Sequence, residues 1–269
     1  MAGNSAVPGQ TVSEKLLRVL EAFAGERTAL TMSEISRAAN LPSSTAHRLI
    51  QELVEWGGLE RISGGRYVVG LHLWEIATRA ARAYDTREVV MPFLQGLWET
   101  TRAHVLLASL EGDHVLLIER IAGTRDVPPA GRAGGRLPLH ASSAGKVLLA
   151  HAGEDLLAAV LAAGLPRYTP RTIVDSDRLA RELARIRDAG VAVSDGELIE
   201  GTYSCAALVP GPPELGAMAV SLLSSSGARD AREMEVLVRM AAKGMGNGLS
   251  RRRPHIPISP SLRKVEDHP

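Results

Sequence analysis

The sequence predicts an α+β fold in two unlike parts. Residues 31–70 combine two short helices, a tight turn and a glycine-tipped hairpin. Residues 104–223 alternate apolar runs, joined by short polar turns, with helical segments, which is typical of a domain built around an antiparallel sheet. The chain has 269 residues, 45% of them apolar, which is enough for one or two globular domains.

The first short helix begins at a capping pair. Thr31 and Glu34 are three residues apart, so the hydroxyl and the carboxylate can satisfy free amide donors at a helix start. Pro42 disfavours the helical conformation for the residue before it, so we expect the helix to end there. Ser43 or Ser44 is then expected to cap the next helix.

The second helix has an apolar face and a polar face. Its apolar residues recur at helical spacing and predict a core stripe, formed by Ala46, Leu49, Ile50, Leu53 and Val54. The opposite face can donate to DNA phosphates or read base edges, and it carries Ser44, Thr45, His47, Arg48 and Gln51.

A hairpin follows between residues 59 and 69. Gly64 and Gly65 provide the positive backbone angles that a tight turn needs. Arg61 and Arg66 flank the tip, where a phosphate or a minor groove would lie. The two helices and the hairpin together predict a winged helix-turn-helix over residues 11–70, after a flexible N-terminus of residues 1–10.

A winged helix-turn-helix predicts binding to a double-stranded DNA operator. The predicted contact residues are Ser43, Ser44, Thr45, His47, Arg48, Arg61 and Arg66. Seven basic side chains in residues 11–70 are matched by seven acidic ones. Affinity therefore has to come from the placement of charge and from dimerisation rather than from bulk attraction.

Residues 71–86 are predicted as a linker helix, since small and apolar residues form one stripe and 85–87 marks a break. The alanines of this stripe would let a second copy pack closely. Residues 87–250 are predicted as a second domain, and 251–269, with prolines and mixed charge, as a disordered tail. Within the domain, the patterns predict helices over 89–101, 142–152, 154–163, 176–189 and 229–249, and strands over 104–110, 114–121, 191–197, 204–209 and 215–223.

Composition argues against several classes of protein. The formal net charge is +1, so there is no global attraction to nucleic acid or membranes. One cysteine, Cys205, excludes an intramolecular disulfide framework and fits a reducing cytoplasm. The N-terminus lacks the apolar segment of a secretion signal. No apolar run reaches the ~18 residues that a membrane helix needs.

Enzymatic interpretations find little support in the residues. Ala144-Gly145-Lys146 resembles part of a phosphate-binding loop, but His140 and Val147 stand where that loop needs glycine and a hydroxyl residue. The eight histidines show no paired spacing for a metal. We therefore predict a protein that is not an enzyme and that has no cofactor and no metal.

Three motifs in order resemble a known family. They are Leu41-Pro42-Ser43-Ser44-Thr45-Ala46-His47-Arg48-Leu49, the run 137–150 with Ser142-Ser143-Ala144-Gly145-Lys146 at its centre, and Val193-Ser194-Asp195-Gly196-Glu197 continuing to Cys205-Ala206-Ala207. On these motifs, residues 11–250 resemble an IclR-type transcriptional regulator. The resemblance implies a GAF-like ligand-binding domain and a working unit that is a homodimer or a dimer of dimers.

The resemblance also implies where a small effector binds. Ser143 and Ala144, at the start of a helix, match positions that line the effector pocket, and so do Asp195, Cys205 and Ser221 on the sheet. Backbone amides at a helix start favour a carboxylate, so the expected effector is a small organic acid.

Departures from the family pattern refine this expectation. Ser43 replaces a basic residue, Leu208 replaces a proline, and Leu223 replaces the second serine of a late-strand pair. A less polar pocket favours a bulkier or partly aromatic ligand. The alternative interpretation is a metabolite-binding or enzymatic domain whose helix-turn-helix serves only for assembly.

Overall fold

A computed structural model describes residues 11–25, 27–78, 81–124, 131–225 and 231–251 of the chain. The predicted flexible N-terminus and all but the first residue of the predicted disordered tail lie outside these ranges. The first half consists of α1 (Val12–Glu21), β1 (Leu30–Thr31), α2 (Met32–Ala38), α3 (Ser43–Glu55), β2 (Leu59–Ile62) and β3 (Arg66–Val69). The three strands form an antiparallel sheet in the order β1-β3-β2.

The capping pair at the start of α2 is confirmed. The Thr31 amide donates to Glu34 Oε2 at 2.8 Å, and the Glu34 amide donates to Thr31 Oγ1 at 3.3 Å. The hydrogen bond from the Thr31 amide is the main reason why the pKa of Glu34 lies below its ordinary value. The two hydrogen bonds between Thr31 and Glu34 stabilise the first turn of α2.

The turn between α2 and α3 differs from the prediction in two ways. The left-handed residue Asn40 (φ 51°) makes the turn, so α2 ends at Ala38, well before Pro42 acts. Pro42 itself is the residue that precedes α3, and within the described residues no side chain caps its first turn. The prediction that Ser43 or Ser44 caps α3 is therefore wrong, since both lie inside the helix.

The apolar stripe of α3 forms the centre of the N-terminal core, as predicted. Ala46, Leu49 and Ile50 have no exposed surface. They pack with residues from every neighbouring element, which include Val19, Ile35, Leu59 and Tyr67. Burying this stripe fixes which side of α3 remains in solvent.

Two helices connect the halves of the chain, α4 (Leu71–Thr78) and α5 (Ala81–Thr101). The predicted break at residues 85–87 is wrong, because α5 runs through it. Those residues include no glycine or proline, and burial of Val90, Leu94 and Leu97 against the second sheet stabilises the helix beyond them.

The second half contains a six-stranded antiparallel sheet, in the order β6-β5-β4-β9-β8-β7. Its strands are β4 (His104–Glu111), β5 (His114–Ile121), β6 (Arg136–Leu137), β7 (Ala192–Asp195), β8 (Thr202–Val209) and β9 (Met218–Ser225). The predicted antiparallel sheet is confirmed. Strand β6 was not predicted, since a two-residue strand leaves no alternation to detect. Strand β9 begins later than predicted because residues 213–215 form a short 3-10 turn.

Helices cover both faces of this sheet. One face packs against α5 and α9 (Ala231–Arg251) and includes Val105, Cys205 and Leu222. The other face packs against α6 (Ser143–His151), α7 (Glu154–Ala163) and α8 (Ser176–Ala189), with Leu106 and Ala206 on the sheet side. None of the described helices is long and apolar enough to cross a membrane.

Candidate functional site

The first candidate site is the solvent face of α3. Ser43, Ser44, His47 and Arg48 are exposed, and Thr45 is half-buried. All five lie opposite the buried stripe, within the first two turns of the helix. A helix whose N-terminal half exposes polar side chains to solvent can enter a DNA major groove.

Arg48 is held only weakly in the free protein. Its Nη1 atom donates to Glu52 Oε1 at 2.5 Å, and both side chains are about half exposed, at 56% and 48%. Pairs of this kind contribute roughly 0.3–0.5 kcal/mol, since water screens them. The guanidinium can therefore exchange Glu52 for a phosphate or a guanine edge at little cost.

The hairpin places two cations beside its tip. Gly64 and Gly65 have φ of 75° and 68°, as the turn prediction requires. Arg61 and Arg66 are exposed on the strands to either side. This geometry is suited to contact a DNA backbone next to the groove that α3 would occupy.

The second candidate site is a cavity between the second sheet and the start of α6. Its free volume is about 20 Å³, which is room for roughly one water molecule. Hydroxyl and leucine side chains provide most of its wall. It is lined by Leu106, Leu137, Ser142, Ser143, Ala144, Ser194, Leu198, Ile199, Thr202, Ser204, Ser221 and Leu223.

Two features fix the start of α6 at this cavity: the Ser142 side chain caps the helix, and Gly145 packs directly against the backbone of Pro138. Ser142 Oγ accepts from the Gly145 amide at 3.0 Å and donates to the Pro138 carbonyl at 2.8 Å. A Cβ atom on Gly145 would lie 2.4 Å from the Pro138 carbonyl oxygen, so only glycine fits there. Ser143 Oγ lies 3.4 Å from Ser221 Oγ, which joins the helix start to the sheet.

Three of the five predicted effector residues line the cavity, and two do not. Ser143, Ala144 and Ser221 are in its wall. Asp195 lies outside it, about half exposed, and accepts from Arg171 Nη1 at 2.8 Å. Cys205 is fully buried on the opposite face of the sheet. Burial raises the pKa of its thiol to about 12.

In each strand, the residue that lines the cavity is the immediate neighbour of the residue that was expected to line it. Ser194, next to Asp195, and Ser204, next to Cys205, are the side chains in the cavity wall. Successive residues of a strand point to opposite faces, so a shift by one residue moves a side chain from the cavity to the other face of the sheet. Alternation in the run Thr202-Tyr203-Ser204-Cys205 is the signal that identifies Ser204, since the two polar residues share a face.

A buried ion pair lies next to the cavity and joins two of the segments that form its wall. Lys146 Nζ, on α6, donates to the Val193 carbonyl and to Glu197 Oε1, both at 2.6 Å. Glu182 Oε1 lies 3.6 Å from the same nitrogen. Burial raises the pKa of Glu197, although Lys146 opposes that change. A hydrogen bond from Arg185 and the charge of Lys146 lower the pKa of Glu182 despite its burial.

This ion pair ties α6 to the chain segment that closes the cavity. Leu198 and Ile199, which follow Glu197, are both in the wall. Lys146 has no exposed surface, so its role here is structural. In the ranges that the structure describes, no group of three or more His, Cys, Asp or Glu side chains could hold a metal.

Comparisons with known proteins match both halves of the chain to one family. Residues 13–63 match the family model of the IclR helix-turn-helix domain. Residues 78–244 match the model of the bacterial transcriptional regulator IclR C-terminal domain. The chain is 30% identical over 197 residues to the transcriptional repressor IclR of Escherichia coli, which covers 72% of each chain. It is 31% identical over 202 residues to the regulator TtgV of Pseudomonas putida, which covers 75% of this chain and 77% of that protein.

A solved structure shares the fold over nearly its whole length. It is an IclR homolog from Microbacterium hydrocarbonoxydans complexed with 4-hydroxybenzoate, 37% identical to this chain with a TM-score of 0.82, covering 89% of this chain and 99% of that one. The two family models, the curated relatives and this structure all indicate the same kind of molecule. The chain therefore belongs to the IclR family of ligand-responsive, DNA-binding transcriptional regulators, which are not enzymes.

Proposed function

We propose that the chain represses or activates transcription in the cytoplasm by inserting α3 into the major groove of a palindromic operator. The observation that carries this proposal is the exposed polar face of α3, from Ser44 to Arg48, opposite a fully buried stripe. Arg61 and Arg66 of the hairpin would add phosphate contacts. In a homodimer or a dimer of dimers, two such helices would reach half-sites ~34 Å apart or at multiples of that distance.

The test is operator binding by Arg48→Ala, measured by fluorescence anisotropy on a genomic fragment selected with the purified protein. We expect operator affinity to fall about 5- to 150-fold, the range for losing one base or phosphate contact worth ~1–3 kcal/mol. Arg178→Ala removes an exposed arginine from α8 and is the matched control, with unchanged affinity. If changing Arg48, Thr45 and Arg66 together left operator affinity intact, the helix-turn-helix would serve assembly instead.

We further propose that the effector is a small organic acid, of aromatic size, that binds in the cavity at the start of α6. Three features support this. The first-turn amides of Ser143 and Ala144 favour negative charge, serine and threonine hydroxyls can hold polar groups, and leucines supply an apolar wall. The homolog in complex with 4-hydroxybenzoate shows that a protein of this fold accommodates such an acid. The 20 Å³ cavity must widen to accept a ligand of that size.

Calorimetric titration tests the chemical class of the effector. We expect carboxylates such as 4-hydroxybenzoate to release or absorb heat on binding, and their amides to bind more weakly. Binding of only uncharged or cationic metabolites would rule out an acid effector. The variant Ser221→Ala, which removes one cavity hydroxyl without adding bulk, should weaken the polar contact, whereas Cys205→Ala on the opposite sheet face should not change affinity.

A further inference from the structure

Arg120 lies on β5, beside the effector cavity. In the β4–β5 ladder its Cα partner is Leu106, so the two side chains share a face of the sheet. Leu106 belongs to the cavity wall. The next pair along the ladder, Val105 and Ile121, lies on the opposite face against α5 and α9. The register therefore directs Arg120 toward the side of the sheet where the cavity is.

The guanidinium of Arg120 has a buried nitrogen, Nε, without a hydrogen-bond partner among the residues that the structure describes. The adjacent acid, Glu119, points to the other face and binds Arg87 Nε at 2.6 Å, so it does not compensate Arg120. A buried donor without an acceptor costs free energy, and a bound anion or water would remove that cost.

The size of the cavity adds a second argument. An acid as large as benzoate does not fit in about 20 Å³, so side chains must move when it binds. Leu106 is the wall residue that pairs with Arg120 in the β4–β5 ladder. Displacing it would open the cavity toward a donor that can hold a carboxylate with two parallel hydrogen bonds.

We propose that Arg120, in place of the first-turn amides of α6, binds the carboxylate of the effector. Those amides and the Ser143 and Ser221 hydroxyls then bind the polar group at the other end of the ligand. This inference rests on the proposed function, because it requires an acidic effector. It assigns the charged contact to the β5 side of the cavity, and only a ligand with polar groups at both ends would use both sides. A para-substituted aromatic acid has that shape.

The experiment titrates wild type and Arg120→Gln with 4-hydroxybenzoate, phenylacetate and propionate, each against its amide, by calorimetry. For the carboxylate that wild type binds most tightly, we expect about a 10- to 100-fold loss of affinity in Arg120→Gln, the range for a hydrogen bond to a charged group. Affinity for the matching amide should change less than about threefold. Arg136→Gln, at the exposed residue of β6, removes the same charge next to Leu137 and should leave both affinities unchanged.

The outcomes separate the two proposals. If wild type prefers none of the carboxylates to their amides, the acid effector is wrong, and the role of Arg120 with it. If wild type prefers a carboxylate and Arg120→Gln binds it equally well, only the role of Arg120 is wrong. A lower free energy of unfolding in Arg120→Gln with unchanged carboxylate affinity would likewise make Arg120 a structural residue.

A second measurement covers the case in which Arg120→Gln does not fold. A crystal structure of the wild-type complex with its tightest carboxylate should place a carboxylate oxygen within hydrogen-bond distance of the Arg120 guanidinium. A carboxylate bound instead by the amides of Ser143 and Ala144, with Arg120 turned away, would overturn the inference.

Discussion

Lys146 shows how a single residue stabilises the cavity at the start of α6 without lining it. The motif Ala144-Gly145-Lys146 resembles part of a phosphate loop, yet the lysine turns away from the cavity and pairs with Glu197 and Glu182. The pair joins α6 to the segment that carries Leu198 and Ile199. His140 and Val147 are enough to exclude nucleotide binding from the sequence. The partner of Lys146 is Glu197, 51 residues away, and no local sequence pattern predicts a contact over that separation.

We expect Lys146→Met to lower the free energy of unfolding by about 3–5 kcal/mol, because it leaves the buried carboxylate of Glu197 without its cation. Urea denaturation measures the change. Arg171→Ala breaks an exposed pair with Asp195 and is the control, with a change of about 0–1 kcal/mol. A loss below about 1 kcal/mol for Lys146→Met would show that the buried pair contributes little.

At the scale of elements, predictions succeeded where one local rule decides the structure. The Thr31–Glu34 capping pair, the α3 core stripe and the glycine turn of the hairpin each depend on a few neighbouring residues. Predictions were wrong where tertiary packing decides, as in α5, whose helix continues through residues 85–87 because its later residues pack on the sheet.

The effector residues show a further limit of local pattern. The strands that carry Asp195 and Cys205 were predicted, but the face that each residue occupies depends on the register of the whole sheet. A shift by one residue replaces them in the cavity wall with Ser194 and Ser204. Ser143, Ala144 and Ser221 therefore line the cavity, whereas Asp195 and Cys205 do not, and the effector-binding role of all five residues stays a prediction.

The start of α6 lies against the backbone of residues 138–139 at Gly145. Gly145→Ala should lower the free energy of unfolding by about 1–3 kcal/mol and weaken effector binding, because its Cβ would contact the backbone of Pro138 and Leu139. Thermal denaturation and calorimetry measure the two effects. Gly96→Ala, in open space within α5, should instead be neutral or stabilising by up to about 1 kcal/mol. Equal stability of the two variants would contradict the tight approach.

At the scale of the whole molecule, exposed apolar side chains collect where the DNA-binding half meets α4. Leu71 is 72% exposed and Trp74 65% exposed, and both lie on α4. Trp56 of the first half packs edge-on against His72 of the same helix, with ring centroids 4.8 Å apart. A surface of this kind is typical of a protein interface, and it agrees with the predicted pairing of two copies through the linker helix.

Trp74→Ala should weaken self-association by about tenfold or more, since buried tryptophans often dominate interfaces. Sedimentation velocity over a concentration series gives the dissociation constant of the dimer. Tyr168→Ala removes another large exposed aromatic from the effector-binding half and should leave that constant unchanged. A dimer that is equally stable in Trp74→Ala would place the interface elsewhere.

The proposed function requires that ligand binding in the cavity change the DNA affinity of α3. A ligand can alter operator affinity only if it binds the two arrangements of the protein unequally, and the coupling is reciprocal. Typical coupling free energies of ~1–3 kcal/mol correspond to a change of about 5- to 150-fold.

The most direct test measures operator affinity by anisotropy with and without a saturating carboxylate effector, and effector affinity by calorimetry with and without saturating operator. We predict that the effector changes operator affinity by the same factor by which the operator changes effector affinity. That factor should be an increase or a decrease of about 5- to 150-fold. A factor of one in both experiments, with operator and effector each bound, would contradict a ligand-responsive regulator.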